Sequence, residues 1–303
     1  MNILVTGSTG QVGFELQRQL SLLGRVLAPS RHSLDLVDAR AVDAWLAQHR
    51  PDLIVNAAAY TAVDRAESEP ALARRLNAEL PAQLARYAER HDLWLVHYSS
   101  DYVYSGRGDT PWREDAPPAP LNVYGQTKLE GDLAIQHSGC QHLIFRTSWV
   151  YSAYGRNFMK TLLRLALERD ELGVVADQVG VPTPARLIAR VTAQALSLRL
   201  ASGLYHLAPR GETSWHGVAQ AIVRLADAQG VAMTLCPDAV MPVPTTDYPT
   251  PASRPLNSRL CLDKLEAALR TRLPDWEAQL ALTLGEYLSH PTGARLREPM
   301  EQT

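Results

Sequence analysis

The sequence predicts an α/β fold, a doubly wound parallel sheet followed by a smaller C-terminal α/β unit. Three observations carry that prediction. Short strands rich in β-branched residues alternate with helical patterns through the first 150 residues. The first strand runs straight into a glycine-rich turn and a helix. Three stretches, 7–13, 57–61 and 99–101, fall at strand carboxyl ends, the edge at which such sheets bind ligands.

The elements follow in order. Asn2-Ile3-Leu4-Val5-Thr6 reads as a buried strand. In the turn Gly7-Ser8-Thr9-Gly10-Gln11-Val12-Gly13, Gly7 permits the sharp bend. Gly10 lets backbone N–H groups approach a pyrophosphate at the helix N-terminus, and Gly13 lets the helix lie close to the sheet. Apolar residues at 12, 16, 20 and 23 give that helix its buried face. Arg25-Val26-Leu27-Ala28 is strand two, and a helix over 38–50 ends at Pro51. Leu53-Ile54-Val55 is strand three, entering Asn56-Ala57-Ala58-Ala59-Tyr60-Thr61, with helical segments across 68–90. Trp94-Leu95-Val96-His97-Tyr98 is strand four, with Ser99-Ser100-Asp101 at its end. A Pro-rich loop over 111–120, a helix from about 123 to 136 and a strand at 143–146 complete the first half.

The second half is less regular. A helix over 157–169 is followed by short strands near 172–175 and 203–207, then a helix over about 215–229. A Pro-rich extended run crosses 241–255, two C-terminal helices follow, and 290–303 reads as a loose tail. The expected division is 1–150, a Rossmann-type dinucleotide-binding domain, and 151–303, mainly a substrate domain with some segments returning to the first. The second half is not expected to build a large core of its own. It should pack on the first and leave a cleft between them.

Composition narrows the function. The chain has 303 residues, 46% hydrophobic and 20% charged, ordinary globular values. A net charge of −2 leaves no footprint for nucleic acid or an anionic membrane. No apolar run reaches 18 residues, so no spanning helix is expected. The chain opens on a strand rather than a signal peptide, which predicts a cytoplasmic protein. Cys140, Cys236 and Cys261 are scattered and suit a reducing compartment. Neither they nor the nine His show metal-ligand spacing, so no metal site is expected.

The chemistry concentrates in Tyr124-Gly125-Gln126-Thr127-Lys128. On a helix, residues i and i+4 share a face, so a phenol and an ammonium stand together. The chain has three Lys against 27 Arg and keeps one of them here. The ammonium is expected to lower the Tyr124 pKa, making the phenol a proton donor at neutral pH. The plain alternative is a solvated Tyr packed on a Lys stem. Ser100, at the end of strand four, could hydrogen-bond the same carbonyl oxygen, with Ser99 its rival. Strand two ends in Pro29-Ser30-Arg31-His32 with no carboxylate before Asp35. Arg31 suits a ribose 2′-phosphate, which favours NADPH, with NADH as the alternative.

These residues carry a resemblance. The chain resembles the extended short-chain dehydrogenases/reductases and, within them, the dTDP-4-dehydrorhamnose reductases. Besides the glycine turn, the similarity includes Val55 to Asp64, Glu67-Ser68-Glu69-Pro70 and Ser100-Asp101-Tyr102-Val103-Tyr104. It continues through Leu121 to Gly125, Arg146-Thr147-Ser148-Trp149-Val150-Tyr151 and the run from Pro251 to Ser258. The resemblance implies reduction of the C4 ketone of a dTDP-sugar, with Tyr124 and Lys128 as the catalytic pair and Ser100 polarising the carbonyl. It implies cofactor contacts from Gly10, Gln11, Val12, Gly13, Ala59, Tyr60 and Thr61, with Asp35 and Leu36 near the adenosine. Asp101 and Trp149 match substrate contacts, and Arg254, on its stiff Pro-rich mount, is read as a pyrophosphate contact. Some members dimerise through Mg²⁺ held by Glu residues. Glu15 matches one ligand, but Arg186 stands where another would be and would repel the cation. A monomer or homodimer remains open. So do two other readings, a non-catalytic regulatory subunit and a related nucleotide-sugar epimerase or dehydratase.

Overall fold

The computed structural model describes residues 1–290, so most of the tail read at 290–303 lies outside the described residues. Six parallel strands form the main sheet: β1 (Asn2–Thr6), β2 (Arg25–Leu27), β3 (Leu53–Asn56), β4 (Trp94–Ser100), β5 (Gln141–Thr147) and β6 (Gly203–His206). Their spatial order is β6-β5-β4-β3-β1-β2. The chain leaves β1 toward β2, then returns past it to β3, so the strand order reverses between β1 and β3. That reversal opens a crevice at the carboxyl ends of the two strands.

Alternating side chains divide the strands between two cores, as the two-residue period of a strand requires. Ile3, Val5, Val55 and Phe145 face one layer, with Leu16 and Leu20 of the helix Gln11–Leu20. Leu4, Ile54, Leu95 and Ile144 face the other, with Leu46, Leu84 and Ile135. The helix Ala39–His49 begins at Asp38, whose carboxylate accepts from the Arg40 and Ala41 N–H groups.

The sequence reading assigns no element to 185–197, and here the structure differs. A helix, Ala185–Ser197, packs against Gln11–Leu20 and completes the first layer through Leu187, Ile188, Val191 and Ala195. Those positions keep helical spacing, so the signal was present. The next strand, β6, enters the main sheet beside β5. Two stretches of the second half therefore join the first half, the helix in its first layer and β6 in its sheet.

The second half also has a large core, contrary to expectation. Met159, Leu162 and Leu163 of Phe158–Glu168 pack with Val218 and Ile222 of Trp215–Asp227 and with Leu280 and Leu284 of Trp276–Ser289. Three amphipathic helices bury their apolar stripes on one another, which needs no sheet. Among the described residues, no helix is long and apolar enough to cross a membrane.

Candidate active site

A cleft of about 1040 Å³ runs from the glycine turn to the second core. Its floor begins at Gly7, whose φ of +67° is a left-handed value suited to glycine. A Cβ on Gly13 would lie 2.1 Å from the Gly7 carbonyl oxygen, so only glycine allows the helix this close. The helix starts at Gly10 with no side-chain cap, leaving its first N–H groups for a ligand. Ser8 Oγ donates to the Pro29 carbonyl and ties the turn to the end of β2.

The loop after β3 lies alongside. Its Tyr60 is clamped by Asn77, whose Oδ1 accepts from the Tyr60 N–H (2.8 Å) and whose Nδ2 donates to the Tyr60 carbonyl (3.1 Å). Asn77 also donates to Thr127 Oγ1 on the helix Val123–Gln136. It stands in a π-helical turn, Arg75–Glu79, inside the helical run over 70–90. An inserted residue of this kind is common beside functional sites. The sequence reading missed Asn77, because nothing in local spacing marks a π-turn.

The helix Val123–Gln136 is capped by Asn122, whose side chain accepts from the Gly125 N–H. Tyr124 and Lys128 lie on this helix and both line the cleft, as do Ser100 and Asp101. Burial pushes the Tyr124 phenol up to about 12, while the Ser100 hydroxyl at its side works in the opposite direction. Ser99 does not compete with Ser100, since its hydroxyl donates to the buried Asp132 carboxylate at 2.9 Å. Ser100 Oγ donates to Asp101 Oδ1 at 3.0 Å and accepts from the Tyr102 N–H.

The expected action of Lys128 on Tyr124 is not met in this structure. Lys128 is 1% exposed, and its Nζ donates to the Tyr98 carbonyl at 2.6 Å. It lies 3.3 Å from His97 Nε2, pointing into the sheet rather than along the helix face. Burial lowers Lys128 to about 8, with the Asp132 charge holding it up. Asp132 is itself paired with the buried Arg146 at 3.0 Å. The i, i+4 spacing placed the two residues correctly, but strand β4 decided where the ammonium goes.

Of the residues expected at the cofactor, Gly7, Gly10, Gln11, Val12, Arg31, Asp35, Leu36, Ala59, Tyr60 and Thr61 line the cleft, while Gly13 lies behind it against Gly7. Ser30 does not line it; its hydroxyl lies 3.3 Å from that of Ser33. On the far wall Trp149, at φ +46°, stacks on Trp215 at 4.0 Å. Trp215 and the exposed Arg156 also line the cleft, and the sequence reading missed both. Neither lies in a stretch with a recognisable motif. Arg254 is not a free phosphate mount. Its guanidinium donates to Asp64 at 2.8 Å and to the Ala252 carbonyl at 2.9 Å. The Pro-rich run is stiff, but the cation it carries is already paired.

Glu15 is buried, and that burial raises its carboxyl above the usual range, with Arg186 and Arg18 working against the rise. Arg186 forms an ion pair with Glu286, and both charges reach Glu15. Among the described residues no three His, Cys, Asp or Glu side chains group as a metal site needs.

Known proteins resemble this chain over nearly its whole length. Residues 1–289 match the family described as the RmlD substrate binding domain. The dTDP-4-dehydrorhamnose reductase of Shigella flexneri is 49% identical over 294 residues, covering 94% of this chain and 98% of that protein. A dTDP-4-dehydrorhamnose reductase structure from Clostridium acetobutylicum is 34% identical, covers 94% of this chain and 99% of that one, and superposes with a TM-score of 0.87. The enzyme from Bacillus anthracis, solved in complex with NADP, is 33% identical over the same shares, also with a TM-score of 0.87. The chain therefore belongs to the RmlD substrate-binding-domain family of dTDP-4-dehydrorhamnose reductases.

Proposed function

We propose that this protein reduces the C4 ketone of dTDP-4-dehydro-β-L-rhamnose to dTDP-β-L-rhamnose, the last step of dTDP-L-rhamnose synthesis, using NADPH. One observation carries the reading. A partly buried phenol, a strand-end hydroxyl and a glycine turn open on one cleft.

The turn fits a dinucleotide. Gly7, Gly10 and Gly13 leave room where side chains would intrude, and the uncapped helix N-terminus attracts the pyrophosphate. Arg31, with Asp35 and Leu36 beside it, is the charge suited to a 2′-phosphate. When bound, NADPH supplies the hydride. Tyr124 stays a neutral phenol at neutral pH and so carries the proton that O4 needs. A sugar alkoxide is a stronger base than the phenolate, so the proton passes to O4. Ser100 can bond the same oxygen and fix its place. Lys128 lines the cleft beside Tyr98 and is assigned to a ribose hydroxyl. Trp149 and Trp215 form an apolar wall against the sugar, and Asp101 is a polar contact to it. Arg254 is assigned to holding the 251–255 run against Asp64.

The first 150 residues, with Ala185–Ser197 and β6, form the cofactor half in this reading, and most of 151–303 forms the substrate half. In this reading the reaction is cytoplasmic and the protein is a monomer or a homodimer. The test is NADPH oxidation with the dTDP-ketosugar, run against NADH in parallel. Tyr124→Phe should lower kcat by roughly 10²–10⁴-fold and leave NADPH binding intact. Near-normal turnover in that variant overturns the assignment.

A further inference from the structure

A buried polar chain runs from β1 to Lys128, and nothing in the proposed chemistry uses it. Thr6, the last residue before the glycine turn, accepts from the Ala58 N–H at 3.3 Å and donates to Asn56 Oδ1 at 2.6 Å. The Asn56 amide lies 3.0 Å from His97 Nδ1. His97 Nε2 faces Lys128 Nζ at 3.3 Å. Thr6, Asn56, His97 and Lys128 are each at most 1% exposed. Three neighbouring strands, β1, β3 and β4, supply the first three members, and each places its residue within three positions of its carboxyl end.

We propose that His97 is a positioning residue for Lys128, its Nε2 accepting from the ammonium while Asn56 holds the ring in the Nδ1–H tautomer. The proposal rests on Lys128 acting in the cleft as described above. An ammonium has three donors and no acceptor. The Tyr98 carbonyl takes one N–H of Lys128, His97 takes a second, and the third is left for the cleft. That assignment requires a lone pair on Nε2. A proton there would set two donors against each other at 3.3 Å. Nδ1 must then carry the ring's proton, and Asn56 must present its carbonyl oxygen to it. Amide oxygen and nitrogen exchange by rotation without moving the side chain, so the geometry allows this. The exchange turns Thr6 from donor to acceptor for the Asn56 amide, and the 2.6 Å contact must open slightly to suit an N–H···O bond.

Full burial keeps His97 neutral, as the role demands: a charged imidazole would expel the ammonium. The groups around Lys128 sit on several elements. His97 and Tyr98 come from β4, and Asp101 follows at the end of that strand. Asp132 and Tyr124 come from its own helix, and Arg146 of β5 shares Asp132. Of these, Asp132 supplies the opposite charge, while His97 and Tyr98 supply direction.

Two measurements test the proposal. In wild-type protein, imidazole ¹⁵N shifts should show His97 as the Nδ1–H tautomer, unchanged between pH 8 and about pH 6. An Nε2–H ring, or one that titrates in this range, overturns it. This readout stands even if the protein proves to have another substrate, so the two readings fail separately. In the second, His97→Leu removes the acceptor, and His97→Gln returns one on a side chain of similar reach. The Leu variant should lose about 10²-fold in kcat, the scale of a misplaced catalytic group. Its activity should also fall away at a lower alkaline pH, because the ammonium loses an acceptor. The Gln variant should recover most of both. Equal losses in the two variants, with an unshifted pH profile, would make His97 a packing residue only.

Discussion

Asp101 shows how one residue records the conflict between folding and function. It is 2% exposed at the end of β4. Its Oδ1 accepts from Ser100, and the Ser258 hydroxyl stands near enough to favour the charged form. Burial pushes the carboxyl up to about 6, against the pull of Ser258 and Ser100. Between pH 4 and 6 the folded protein therefore holds a proton that the unfolded chain has lost. Stability falls as pH rises through that window, and the full penalty stands above it. Asp101→Asn keeps the shape and an acceptor for Ser100 without the charge. It should stabilise the protein by roughly 2–3 kcal/mol at pH 7.5, with the gain vanishing below about pH 4. Urea unfolding at the two pH values measures it, and the same gain at both would contradict the account. Activity should fall in the same variant, because the carboxylate faces the cleft. Asp101 and Trp149 were legible only through whole motifs. An isolated Asp or Trp in the sequence carries no mark of the cavity it will line.

At the scale of elements, the site depends on how closely Val123–Gln136 lies against the turn Asp101–Val103. A Cβ on Gly125 would sit 2.2 Å from the Tyr102 carbonyl oxygen, a contact no real structure holds. Gly125→Ala must push the helix off the turn and draw Tyr124 away from Ser100. We expect kcat to fall by about 10²-fold, since a displacement near 1 Å has that effect. NADPH affinity should change little, because the glycine turn belongs to another helix. Calorimetric titration beside steady-state rates separates the two, and an unchanged kcat would mean that the turn yields instead. Most of these elements could be read from spacing and caps. The helix at 123–136 and the cap at Asn122 are local matters, settled within one turn of chain. The π-turn at Arg75–Glu79 could not be read so, because it exists to bring Asn77 to Tyr60 and Thr127, one of them 50 residues away.

The whole molecule encloses two imidazoles that acid must charge. His206 lies between Tyr104 and the Cys261 carbonyl, and burial beside Arg146 pushes it down to about 3. His97 is held well below its usual range by burial and by Lys128. The unfolded chain protonates both near pH 6.5, so their contribution is complete above that pH and is lost as pH falls. Each takes about 1.4 kcal/mol per pH unit below 6.5, and Asp101 cancels one of them between pH 6 and 4. The urea midpoint should therefore drop between pH 7 and 5; a flat profile would show that the rings are charged or exposed in the native state. By itself the sequence determined the parallel sheet, the glycine turn and the helix bearing Tyr124 and Lys128. Strand and helix periods, glycine sterics and i, i+4 spacing all act over a few residues. The tertiary structure alone decided the second core, the placing of Ala185–Ser197 in the first layer and of β6 in the sheet, and the direction of Lys128. It also decided that Arg254 is bound to Asp64, 190 residues away. Those outcomes turn on which groups meet once the chain is closed, and burial then sets their charge and their partners.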